Sequence, residues 1–239
     1  MGKFVKKGQS VVIKPNLAWE RTPEQAANTN PDVLRSVIQL CRNAGAGRIT
    51  VVEHACGNAA KAFEMSGAKK AVAGLGVRLI SAERESMYRK IDIPKGKSIK
   101  SDTCIREILD ADVFINVPIA KVHGGVGITA GMKNMMGAIW DRQIWHRNNV
   151  DQCIADYSTV VKPDLVILDA VRILLSNGPQ GPGDTKAVGQ VIASTDTVAI
   201  DAYAAKLLGK SVSQVKYIGF ADAHGIGESD LKKVNLKKV

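Results

Sequence analysis

Between Asp112 and His146 the chain reads DVFINVPIAKVHGGVGITAGMKNMMGAIWDRQIWH, which gathers Lys121, Lys133, Arg142, His123 and His146 around a glycine-rich turn. Amines and a guanidinium can hold a carboxylate or a phosphate, the guanidinium through two parallel hydrogen bonds. Imidazoles titrate near neutral pH, so His123 or His146 could move a proton, with Asp169 orienting one ring. Lys133, if desolvated among like charges, would have a lowered pKa and could serve as a base or as a carbonyl-trapping amine. A second chemistry is metal binding, because His123, His146 and Asp169 carry the atoms that zinc, iron or nickel prefer. Adjacent lysines repel a dication, however, and neither histidine has a partner at a metal-motif spacing, so no metal ligand is assigned. The plainer alternative for these residues is a solvated basic helix end and a satisfied histidine. No G-x-S-x-G elbow is present to support a serine nucleophile.

The elements that would position these groups can be read from periodicity. Val113, Phe114, Ile115, Val117 and Ile119 form an apolar run with Pro118 near its end, the pattern of a buried strand, so Lys121 and His123 are expected just past its carboxyl end. Gly124, Gly125 and Gly127 follow, and a helix is expected from about Thr129, with Ile128, Met132, Met135, Met136 and Ile139 on its buried face. A strand feeding a glycine loop and a helix start aims free backbone N–H groups at one point, which attracts anions. Asn134 adjoins Lys133, and Gly137 leaves room for another backbone or a ligand. Arg142 and His146 share a face if the helix continues.

Strands and helices alternate through the rest of the chain. Val11–Lys14 reads as a strand ending in Pro15 and Asn16. Asn30 caps a helix with Pro31 at its first position, a buried stripe of Leu34, Val37, Ile38 and Cys41, and Gly45 at its stop. Ile49–Val52 is a strand leading to Glu53 and His54, Ala59–Ala73 a helix and Val77–Ile80 a strand. Ile91–Ile93 suits a short strand, Thr103–Leu109 a short helix, Val150–Val161 a helix, and Leu165–Leu168 a strand. Gln190–Ala193 is a further strand, and Thr195 or Asp196 caps a helix that ends at Gly209. This is an α/β pattern, a mostly parallel central sheet covered by helices, and it predicts a single large domain over residues 1–239 with room for a small lobe. Polar residues cluster where strands end: Lys14 and Asn16, Glu53 and His54, Lys121 and His123, Asp169. Ligands collect at the carboxyl edge of such sheets, so these groups are expected to converge. The glycine- and proline-rich loop Ser176–Asp184 could close over a ligand or be an ordinary connection.

Several segments together resemble a known family. V-V-I-K-P-N at Val11–Asn16, N-T-N-P at Asn28–Pro31, N-V-P-x-x-K-x-H ending at His123, K-N-x-x-G at Lys133–Gly137, and Arg142 followed by His146 are similar to the family catalogued as domain of unknown function 362. Asp169, Gly178-Pro179, and Asp196 followed by Asp201 extend the match, which departs at Val122, where the family usually has threonine. The resemblance implies a fold and a site but brings no established reaction. It also implies an association with ferredoxin-type iron–sulphur modules, and hence a rival role as a non-catalytic accessory or electron-transfer partner of such a protein. In a subset of relatives it implies a twin-arginine export signal. On that basis Met1 is expected to be an imposed start, the chain to be truncated at its N-terminus, and the location to be extracytoplasmic, with the cytoplasm as the alternative.

Cys41, Cys56, Cys104 and Cys153 are scattered and no C-x-x-C occurs, so no iron–sulphur cluster is expected on this chain. Cys41 falls on the apolar helix face, and Cys56 is the expected exposed thiol, with a structural role favoured. The formal charge of +10 could suggest nucleic acid, but seven of the lysines lie near the termini and only 5% of residues are aromatic, so no nucleic-acid partner is expected. No apolar run is long enough to span a membrane. These residues together lead to the expectation of an enzyme or binding protein of unknown reaction for a small anionic ligand. Its catalytic set is His123, Lys133, His146 and Asp169; its binding set is Lys14, Asn16, Lys121, Asn134 and Arg142.

Overall fold

A computed structural model describes residues 1–239. The chain runs β1 (Ser10–Pro15), α1 (Pro31–Asn43), β2 (Arg48–Glu53), α2 (Ala59–Met65), α3 (Ala68–Val72) and β3 (Arg78–Ser81). Then come β4 (Tyr88–Asp92), β5 (Ser101–Ile105), α4 (Arg106–Asp110), β6 (Val113–Val117), β7 (Ile119–His123) and β8 (Gly127–Thr129). It closes with α5 (Gly131–Asn134), α6 (Gln143–Arg147), α7 (Val150–Ser158), β9 (Leu165–Leu174), β10 (Thr185–Ser194), α8 (Thr197–Leu207) and α9 (Lys216–Ala223).

The main sheet has the order β3-β2-β1-β6-β9-β7-β8, with β10 also paired to β9, and β4 and β5 make a separate antiparallel ribbon. Pairing is parallel from β3 across to β7, and antiparallel for β7 with β8 and β9 with β10. Burial follows the expected two-faced pattern. One face packs Val11, Ile13, Val51 and Ile115 against the α1 stripe of Leu34, Val37, Ile38 and Cys41 and against α2 and α3. The other packs Val12, Val52, Phe114, Val166 and Leu168 against α5 and α7–α9. Strands buried on both faces need the near-continuous apolar runs that β1, β2 and β6 have.

Local signals account for the helix starts. The Asn30 side chain accepts from Asp32 N with Pro31 in the first turn, and Asp196 accepts from Ala199 N. From β1 the chain moves outward through β2 to β3, then returns to lay β6 on the other side of β1. The strand order therefore reverses between β1 and β6, where an open α/β sheet leaves a crevice at its carboxyl edge.

Four expectations about local structure need correction. The apolar run does not end in a loop at Ile119: β6 stops at Val117, and β7 carries Lys121 and His123 as strand residues. Pro118 breaks the ladder, after which the chain shifts from β1 to the second half of β9. Thr129 ends β8 rather than opening a helix, and the helical run beyond it is short, α5 followed by a 3-10 turn at Met135–Ala138. The Ala59–Ala73 helix is divided at Ser66–Gly67, where Gly67 takes a positive φ of 77° that α-helix does not allow. Thr103 lies in β5, with α4 starting at Arg106.

Candidate functional site

Three asparagines build the floor of the crevice. Asn134, at the end of α5, donates to Asn116 Oδ1 at 2.8 Å and to Pro15 O at 3.2 Å, and its own Oδ1 accepts from Asn16 Nδ2 at 2.8 Å. Asn116 in turn donates to Gly131 O at 2.8 Å. Amides both donate and accept, so one buried network ties the ends of β1 and β6 to the helix that carries Lys133. The N-T-N-P segment buttresses it: Thr29 Oγ1 accepts from Asn16 N and donates to Val117 O.

Beside this floor lies a buried ion pair. Lys14 Nζ is 3.0 Å from Glu53 Oε1, and both side chains are essentially inaccessible. Glu53 also accepts from Leu17 N and His54 N, so every oxygen is engaged. Burial lowers the Lys14 pKa while Glu53 opposes the shift. Gly137 passes over this pair so closely that a Cβ there would overlap Glu53 Oε1.

Above the floor opens a cavity of about 240 Å³, bordered by Asn16, Lys121, Thr129, Lys133, Asn134, Arg142, His54, His123 and His146, with Cys56 and Pro179 at its rim. Lys121 and His123 are two apart on β7 and share a face, and Thr129 stands opposite Lys121 in the ladder. Lys121 Nζ donates to Asn16 Oδ1 at 3.0 Å and to Ala27 O, which leaves one N–H of an ammonium uncommitted. Lys133, only 8% exposed, has Met136 Sδ as its sole partner, at 3.2 Å. Glu53 is the only carboxylate bordering the cavity, and Lys14 occupies it. Burial pushes Lys121 down to about 7 and Lys133 down to about 8, with neighbouring cations adding to both shifts. Thr129, 3% exposed, has a hydroxyl with no hydrogen-bond partner.

The histidines divide by tautomer. Gly125 N donates to His123 Nδ1 at 3.1 Å, so in the neutral ring Nε2 carries the hydrogen and can donate. Burial, then Lys133 and Lys121, push His123 down to about 3, which keeps it neutral. His54 is the reverse: Nδ1 lies 3.1 Å from Ile139 O, which can only accept, so Nε2 holds the free lone pair. Its ring stacks on Trp140 at 5.7 Å, and burial together with Arg142 lowers its pKa. His146 is exposed at the cavity mouth, its pKa also lowered, first by desolvation and then by Lys133 and Arg142.

Of the residues expected from the sequence, the structure brings Asn16, Lys121, His123, Lys133, Asn134, Arg142 and His146 to one cavity, with Lys14 beneath it. Asp169 does not join them. It lies mid-strand because β9 continues to Leu174 along β7 and β10, and its carboxylate accepts from Asn30 N at 2.7 Å and Val171 N at 3.0 Å. It therefore anchors the start of α1 and orients neither imidazole. No group of three or more His, Cys, Asp or Glu side chains is placed to hold a metal ion, so the His123–His146–Asp169 set does not assemble.

Two further corrections concern how an anion would be held. Arg142 is not free for a bidentate grip: it donates to Met136 O, Ala55 O, His54 O and Cys56 Sγ, locking the His54–Cys56 loop to the α5 segment. The amides at the start of α5 are not free either, because Gly131 N and Met132 N donate to the Asp201 carboxylate at 2.6 and 3.1 Å. Tyr217 OH is a third donor to Asp201, whose burial pushes it up to about 7 against those donors. The first two amides of α5 are therefore not offered to a ligand. Glu53 and His54, expected to converge with the other strand-end groups but given no role, border the cavity, and Cys56 joins them at its rim. Thr129 borders the cavity because it ends β8, a placement that the expected helix start does not give. The loop Ser176–Asp184 supplies Pro179 as part of the wall, held there by Gly124 N donating to Gly178 O.

The comparisons with known proteins agree with this architecture. The family model described as domain of unknown function (DUF362) matches residues 11–206. A thylakoid-associated protein, sll1697, from Synechocystis sp. is 31% identical over 209 residues, covering 84% of this chain and 63% of that protein. The chain thus spans less than two thirds of the curated relative. Among solved structures, the lactate racemase apoprotein from Thermoanaerobacterium thermosaccharolyticum matches with a TM-score of 0.55 and 11% identity, over 88% of this chain and 50% of that one. At that identity the likeness is one of fold. No helix is long and apolar enough to cross a membrane.

Proposed function

This chain belongs to the domain of unknown function 362 family, and we propose that it binds a small carboxylate or phosphate in the cavity at the β1–β6 carboxyl edge and acts on it as an enzyme. The observation that carries this reading is Lys133, a buried amine whose only partner is a thioether, beside Lys121, which has no carboxylate either. Burying an ammonium without a counter-ion costs several kcal/mol, so such a site is either kept neutral or completed by an anion. Lys121, Lys133, the Nε2–H of His123 and the Thr129 hydroxyl are the donors offered to that anion. His146 at the mouth and His54 through Nε2 are neutral bases suited to moving a proton. Arg142 positions the loop rather than the ligand.

Convergence on one small cavity favours this reading over docking of an acidic iron–sulphur protein, which would be served by basic groups spread over an open face. A thermal-shift series with acetate, propionate and phosphate, on the wild type and on Lys133→Met, tests it. A ligand at a hundred times its Kd adds about 2.7 kcal/mol, or roughly 5–10 °C for a chain of this size. The expected result is a shift with one anion class that Lys133→Met weakens by removing a cation beside the anion; no shift with any anion in the wild type would reject the site.

A further inference from the structure

The two unpaired amines in the cavity are not equivalent. Lys121 is held by Asn16 Oδ1 at 3.0 Å and by Ala27 O, so its Nζ can turn only at the cost of two buried hydrogen bonds. Lys133 has no such tether: Met136 Sδ is a weak acceptor, and its Nζ can be redirected at little cost. Around it stand groups with unspent donors: the third N–H of Lys121, the Nε2–H of His123, and the Thr129 hydroxyl. Such donors suit a carboxylate, and a free amine beside a bound carboxylate suits an electrophilic carbon.

We infer that the ligand is a small 2-oxo carboxylic acid, whose carboxylate is held by Lys121, His123 and Thr129 while Lys133 adds to its carbonyl carbon to form an imine. This rests on the anion-site reading above and names its substrate class. In the step itself the Nζ lone pair forms the C–N bond and the carbonyl π pair moves to oxygen. The two amine hydrogens leave with that oxygen as water, so no oxidant or further reactant is needed. The neutral His54 and His146 border the same cavity and can relay those protons. Burial that holds Lys133 near 8 leaves a useful fraction of free amine at neutral pH. The cavity of about 240 Å³ accommodates a small acid such as pyruvate.

The test is reductive trapping. The full chain is incubated with pyruvate and sodium cyanoborohydride, digested and mapped by mass spectrometry, alongside a thermal-shift measurement with propionate, which has the carboxylate but no keto group. A 1-carboxyethyl adduct is expected on Lys133, on the order of ten-fold or more above the exposed Lys61 and Lys90, because binding holds the carbonyl against the amine. Propionate in excess should suppress it, and Lys133→Arg, which keeps the charge, should lose it. Stabilisation by propionate with no preferential adduct at Lys133 would overturn the imine while leaving the anion site standing. Neither stabilisation nor adduct would overturn both. Labelling of Lys121 in place of Lys133 would overturn the assignment of the nucleophile.

Discussion

Two buried lysines a few residues from the same floor have opposite surroundings. Lys14 faces a carboxylate that also accepts two backbone N–H groups, whereas Lys133, on the other side of Asn134, faces a thioether and open space. The first arrangement is closed electrostatically and holds β1 to β2. The second is incomplete, and a buried amine without a counter-ion is tolerated when it is held neutral or when an anion completes it. The same contrast recurs at the start of α5: its amides would be an anion site, yet Asp201 has already filled it from within the chain. Burial alone therefore does not mark a binding group; the absence of an internal partner does.

The largest effect should come from breaking the closed side. Glu53→Ala leaves the Lys14 ammonium, Leu17 N and His54 N without their acceptor, and the expected cost is about 3–5 kcal/mol in equilibrium denaturation. A loss below about 1 kcal/mol would mean the pair is not a structural closure. Next comes Asp201→Ala, which strips the acceptor from two amides and Tyr217 and should cost about 2–3 kcal/mol, with Asp201→Asn recovering part of it. On the open side the sign should reverse. Lys133→Met replaces an uncompensated buried amine with an apolar chain of similar length, so the ligand-free protein should be unchanged or up to about 2 kcal/mol more stable. A clear destabilisation would show that Lys133 is structural after all.

The pH dependence sharpens the same contrast. Lys121 at about 7 and Lys133 at about 8 lie below the value of an exposed lysine. Between roughly pH 7 and 10 the unfolded chain then binds more protons than the folded one, so these amines make stability rise with pH, by on the order of 1 kcal/mol per pH unit each. Thermal melts of the wild type against Lys121→Met/Lys133→Met should show that slope only in the wild type. A bound anion should flatten it by restoring the charged amines. The smallest effect expected is from Thr129→Val: the unpartnered hydroxyl should make the change neutral, or stabilising by about 0.5–1 kcal/mol, while weakening any anion-induced shift. An unchanged anion response would remove Thr129 from the site.

Much of the fold is legible in the sequence. The α1 cap and stripe, the β1, β2 and β6 cores and a cap at Thr195 or Asp196 follow from local periodicity and turn chemistry, which act within a few residues; the structure selects Asp196. The expectation that polar residues at strand ends converge agrees with where Lys14, Asn16, Glu53, His54, Lys121 and His123 lie, although the Lys14–Glu53 pairing itself is not legible in it. It failed for Asp169, because β7 and β10 extend β9 beyond that residue, and sheet extension depends on partners far away in sequence. The glycine loop looked like an anion nest, and only the insertion of Asp201 from α8, seventy residues on from Gly131, occupies it instead.

The sequence by itself determined the family, the α/β class and the set of basic and imidazole groups available for chemistry, because residue type and short-range pattern carry that information. Tertiary structure decided which of those groups are satisfied. Arg142, Lys14 and the α5 amides are closed by backbone carbonyls, Glu53 and Asp201, while Lys133 and Thr129 are left open. The physical reason is that hydrogen-bond and charge compensation are settled by strand order and register, which bring together residues whose separation in the chain gives no hint of their contact.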